Sequence, residues 1–134
     1  MNEKLAVLRV LTDYYAAFST LDVQAFLPYF HEPSLLIGPQ EVFAAPTHAD
    51  LARAFAPAVV DFRAKEFGRS ELTVRDVSSL SATAAAVTGV ARRFKVDGNE
   101  LEPAGVTYVL HKGDTGWRIV VLILHDVKDG ASDS

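Results

Sequence analysis

Two segments late in the chain, Ala104 to Lys112 and Trp117 to His125, are apolar at both odd and even positions and are separated by Gly113-Asp114-Thr115-Gly116. A strand sends alternate side chains to opposite faces, so any sheet containing these segments needs cover on both sides. Helices can cover one face; the other then calls for more helices or for another chain, which predicts a homodimer formed through the sheet. The chain has helical patterns to offer only before Gly68.

From Leu5 to Leu21 the apolar residues fall into two adjacent stripes, Leu8, Leu11, Tyr15, Phe18 and Val7, Val10, Tyr14, Ala17, Leu21, which together make a broad buried helical face. Asp22 caps a second, shorter helix carrying Val23, Phe26, Leu27 and Phe30 on one face, and Pro33 stops it by disfavouring helical geometry at Glu32. Ser34 to Ile37 reads as a short strand, Gly38-Pro39 as a turn, and Glu41 to Ala45 as a second short strand. Thr47 and Asp50 form a capping box for a third helix, in which Pro57 predicts a kink. After Gly68 the periodicity switches to strands, with turns at Ser81-Ala82, Asp97-Gly98-Asn99 and Gly113 to Gly116, spaced as in an antiparallel meander. The class is therefore α+β.

A length of 134 residues fits one domain, placed at residues 1–127, followed by a flexible tail over 128–134 rich in Asp, Ser and Gly. With no cysteine, disulfide scaffolds and thiolate metal sites are excluded. The net charge of -4 gives nucleic acid no attractive field. The longest apolar run, Ile119 to Leu124, is too short to span a bilayer, and the N-terminal segment lacks the pattern of a signal peptide. These features predict a cytoplasmic protein without membrane or nucleic-acid partners.

The pieces Tyr14-Tyr15-Ala16-Ala17-Phe18-Ser19-Thr20-Leu21-Asp22, Phe26 to Phe30, Gly38-Pro39 and Gly116-Trp117-Arg118-Ile119-Val120 occur in an order that resembles the nuclear transport factor 2-like superfamily, including its SnoaL-like and ketosteroid isomerase branches. The resemblance covers nearly the whole chain. It implies a cone in which three N-terminal helices pack in a strongly curved, mainly antiparallel sheet around an apolar cavity. Isomerase chemistry in that fold takes a carboxylate base, with a tyrosine and a protonated aspartic acid holding the oxyanion. Tyr14 matches the tyrosine, but the base position falls on Gly38 and the aspartic acid position on Thr107, so ketosteroid isomerase activity is not expected. The hydrolase branch lacks support as well, because the acidic residues after Gly68 lie mostly at Asp76 and in turns.

Among the remaining polar groups, His31 and His125 lie where the resemblance puts cavity wall and sheet end, and imidazole is the base available without cysteine. Each has an ordinary alternative: His31 as a helix C-terminal group, His125 as a sheet-edge group. His48 and His111 read as exposed, and no His-x-His or His-x-x-x-His pair announces a metal site. Of Arg92 and Arg93, alternation sends one inward; if Arg92 shares a face with Val90 and Phe94, it enters the cavity and needs a carboxylate from the ligand or from Glu32, Glu100 or Glu102. The cavity set is then Phe18, Phe30, Phe55, Arg92, Phe94 and Thr107, apolar walls suited to a small hydrophobic molecule and not to a nucleotide. No cofactor motif is present; in particular no glycine-rich phosphate loop follows a strand. Two functions stay open: a ligand-binding protein with cofactor-free proton transfer, Tyr14 donating and His31 or His125 accepting, and a non-catalytic sensing or dimerising module.

Overall fold

The computed structural model describes residues 3–127. The expected flexible tail at 128–134 lies outside the described residues. The order is α1 (Glu3–Phe18), α2 (Val23–Phe26), a 3-10 turn (Leu27–Tyr29), β1 (Phe30–Ile37), β2 (Val42–Ala45), α3 (His48–Ala64), β3 (Phe67–Ser81), β4 (Ala84–Lys95), β5 (Ala104–Gly113) and β6 (Gly116–His125). The six strands form one curved sheet in the order β2-β1-β6-β5-β4-β3. Every neighbouring pair is antiparallel except β1 and β6, which run parallel. The α+β class and the cone of helices in a curved sheet expected from the sequence are both observed.

Local signals account for most element ends. Asp22 Oδ1 accepts from the Gln24 N–H at 3.0 Å, capping α2. Thr47 and Asp50 close the capping box of α3, which runs as one helix through Pro57, whose ring faces solvent. One boundary departs from expectation. Helical structure ends at Tyr29, and His31, Glu32 and Pro33 belong to β1. The cause is long-range: Phe30 pairs with Ile119 of β6, so the extended conformation starts four residues before Ser34.

The core lies between the helices and one face of the sheet, with Phe26, Phe30, Leu11, Leu51, Leu110 and Ile119 fully buried. Tyr14 stands at the centre of an aromatic cluster, its ring 5.3 Å from Phe30 and 6.1 Å from Phe26, while Phe26 meets Phe55 at 5.0 Å. Gly89 is required where it stands: a Cβ there would lie 2.3 Å from the Thr73 carbonyl oxygen, next to the irregularity at Val74 and Asp76 that bends β3 over β4. The start of α1 is tied to the β5–β6 hairpin. Glu3 accepts from Lys112 Nζ at 2.7 Å and from Trp117 Nε1 at 3.0 Å, and these two donors hold its carboxyl below the usual carboxylate range.

Strand register decides which side chains meet the helices. In β4 the residues Ala85, Val87, Gly89, Ala91 and Arg93 face inward, opposite Leu110, Tyr108 and Val106 of β5. The alternate set faces outward, in rows such as Leu35–Val121–Val109–Ala86 and Ile123–Thr107–Thr88. Those outward residues are half-buried.

Candidate functional site

The inner face of the sheet and the C-terminal halves of α1 and α3 enclose a cavity of about 260 Å³. Tyr14, Tyr15 and Phe18 come from α1, and Phe55, Ala58 and Phe62 from α3. The sheet contributes Ser70, Ala91, Arg93, Val106, Tyr108, Leu122 and Leu124. The helical residues arrive there because three- and four-residue spacing puts them on one side of each helix. The mouth is marked by Leu124, which is 37% exposed. A second recess, lined by Leu36, Gly38, Glu41 and Phe43, shares Phe55, Ala58, Leu122 and Leu124 with the first.

Three phenols supply most of the polarity inside. The Tyr15 and Tyr108 hydroxyls share a hydrogen bond of 2.7 Å, so whichever accepts keeps its own hydrogen for another partner. The Tyr14 hydroxyl makes no hydrogen bond among the described residues. Burial pushes Tyr15 up to about 12 and raises Tyr14 and Tyr108 well above the usual phenol value, against a smaller opposing pull from the Arg93 cation. All three are therefore neutral donors at physiological pH. Ser70 is committed to the wall, its N–H donating to Ser19 Oγ at 2.9 Å.

The structure brings Tyr14, Phe18 and Phe55 of the sequence-derived set to the cavity and moves the rest elsewhere. Phe30 is fully buried beneath Tyr14 and Phe55 and does not line the open space. Arg92 and Phe94 lie on the opposite face. Arg92 pairs with Glu100 at 3.1 Å, and Phe94 lies 4.2 Å under the Arg69 guanidinium. The arginine that enters the cavity is Arg93, 5.3 Å from the Phe62 ring. The alternation is as read from sequence, but its phase is the reverse, because β4 registers Val87 against Tyr108.

Neither histidine reaches the cavity. His31 Nδ1 donates to the Pro33 carbonyl at 2.9 Å, and its ring packs 6.2 Å from His111. His48, read as exposed, is half-buried, with Nε2 donating to the Phe30 carbonyl at 2.8 Å. His125 and Thr107 are neighbours on the outer face. His125 Nδ1 donates to the Asp126 carbonyl at 2.9 Å, and Nε2 shares a hydrogen bond of 2.9 Å with Thr107 Oγ1; Thr88 Oγ1 lies 3.1 Å further on. Gly105 makes room for this imidazole, since a Cβ there would lie 2.5 Å from His125 Nδ1. Among the described residues lining the main cavity there is no carboxylate and no imidazole, and at the recess position expected for a base stands Gly38. Tyr15, Tyr108 and Arg93 are the functional candidates that reading the sequence missed. Tyr108 was legible only as one more aromatic residue in a doubly apolar strand.

A family model described as NTF2-like protein (DUF6841) matches residues 2–127. Among solved structures, an NTF-2 like protein of unknown function from Shewanella oneidensis superposes with a TM-score of 0.74 at 19% identity, over 90% of this chain and 97% of that one. A ketosteroid isomerase-like protein from Erwinia carotovora atroseptica gives 0.68 at 18% identity, over 96% and 98% of the two chains. A protein of unknown function with a cystatin-like fold from Nostoc punctiforme gives 0.71 at 16% identity, over 95% and 92%. At these identities the likeness is one of fold. No curated protein matches the sequence. No helix among the described residues is long and apolar enough to cross a membrane.

Proposed function

From the premise that this chain belongs to the NTF2-like family described as DUF6841, we propose that it binds a small, largely apolar molecule of one or two rings in the cone cavity and acts as a binding module, not a proton-transfer enzyme. The observation that carries this reading is the Tyr14 hydroxyl, neutral and without a hydrogen-bond partner among the described residues, facing the open space of a mostly apolar cavity. An acceptor on a ligand would give this donor a hydrogen bond worth about 0.5–1.5 kcal/mol. Proton abstraction has no candidate on the main cavity's described walls, since His31 and His125 both lie outside it. Calorimetric titration with 2-naphthamide, a neutral two-ring probe, tests the reading. Wild-type protein is expected to bind it, and Tyr14→Phe to weaken binding about three- to tenfold. Absence of binding, or an affinity indifferent to Tyr14→Phe, removes the site.

The outward face of the sheet supports a second element of the same reading, a homodimer formed through that face in the cytoplasm. Leu35, Val109, Val121 and Ile123 stand half-buried there with Ala86 between them, the pattern of strands that are apolar on both faces. Sedimentation equilibrium is expected to give twice the chain mass for wild type and the single-chain mass for Val121→Lys. A wild-type monomer at micromolar concentration rejects the pairing.

A further inference from the structure

We infer that the molecule taken by the cavity is a monocarboxylate with a flat apolar body, its carboxylate held by Arg93. The inference rests on the reading above, that the cavity binds a small apolar molecule, and adds the ligand's charge.

Arg93 lines the main cavity and also a recess at its rim formed with Phe62, Lys65, Leu101, Glu102 and Pro103. Its guanidinium makes no ion pair and no hydrogen bond among the described residues; its one contact of that kind is the Phe62 ring. The residue before it shows what a resident carboxylate looks like here, for Arg92 holds Glu100 at 3.1 Å. The other cation of the recess, Lys65, is already bound to Asp61 at 2.9 Å. Glu102, the recess carboxylate, is exposed and makes no ion pair with Arg93.

A cation set against an apolar cavity lacks the solvation it would have in water, and filling that cavity with a neutral molecule removes more of it. An anion reverses this balance. The planar guanidinium fork matches a carboxylate in two parallel hydrogen bonds, which a single point charge cannot do. The rest of the polar lining agrees in sign: the Tyr14 hydroxyl and the spare hydrogen of the Tyr15–Tyr108 pair are donors, and no anionic side chain stands among them to receive a cationic ligand. Arg93 also lies close enough to all three phenols to oppose, in small measure, the rise that burial causes in them.

Calorimetric titration with the isosteric pair 2-naphthoate and 2-naphthamide tests the charge. Wild type is expected to prefer the carboxylate by about tenfold, the size of one charge-assisted hydrogen bond. Arg93→Met abolishes that preference, Arg93→Lys restores part of it, and Arg92→Met on the outer face leaves both affinities as in wild type. Equal binding of the two probes by wild type, or a preference that survives Arg93→Met, overturns the inference while the binding reading stands. If wild type takes neither probe, both fall. Should Arg93→Met fail to fold, wild type alone still decides: raising salt from about 0.05 to about 0.5 M weakens naphthoate several-fold and spares naphthamide, whereas equal salt response of the two overturns the charge assignment.

Discussion

The two faces of the sheet are made from the same strands and nearly the same residue types, yet they are opposite in kind. Inward, Val87, Val106, Tyr108 and Leu110 are buried against helices, and the sparse polar groups, three phenols inside and Arg93 at the rim, line the cavity. Outward, Val109, Val121 and Ile123 are half-buried, and the polar groups form a row across three strands from Thr88 through Thr107 to His125. The difference shows that burial chemistry is assigned to a residue by strand register, and one position along β4 exchanges Arg92, in a surface ion pair, for Arg93, in a cavity.

The comparison breaks most visibly on removing equal numbers of carbons from each face. Leu110→Ala, inward and fully buried, is expected to cost about 2–5 kcal/mol in urea unfolding, and Ile123→Ala, outward and half-buried, about 1 kcal/mol in dilute monomer. Equal costs would mean that the outer face is covered as fully as the inner one. A smaller effect sharpens the contrast through pH. Below about pH 10, Tyr15 is protonated in both folded and unfolded chains, and the stability it confers is complete. As pH climbs from about 10 towards the folded value of about 12, the unfolded chain releases the proton first, so stability falls, by about 3 kcal/mol in all for this residue. Alkaline unfolding followed by circular dichroism should be visibly shallower in Tyr15→Phe. An unchanged slope would move the base sensitivity out of the cavity.

Much of this architecture was legible in advance. Asp22, Thr47 and Asp50 act on backbone groups within three residues, and the doubly apolar segments needed only the two-residue period of a strand. The site was less legible, for a definite reason. Nothing local distinguishes Arg92 from Arg93, since Val90 and Ala91 before them are both apolar and both buried; the phase of β4 comes from β5, some twenty residues away. His31 was misplaced by the same cause, because the pairing of Phe30 with Ile119 outweighed the helical pattern that led up to it.

The link from Glu3 to Lys112 and Trp117 carries a consequence for how the protein comes into being. Its partners are separated by 109 and 114 positions, and β1 pairs with β6 across most of the chain. During synthesis, the first helix leaves the ribosome with neither the donors that fasten it nor the strand that seats its neighbour. Translation must pass β6 before α1 and β1 can settle, so the strand that follows all the others in the sheet is the one that completes the first.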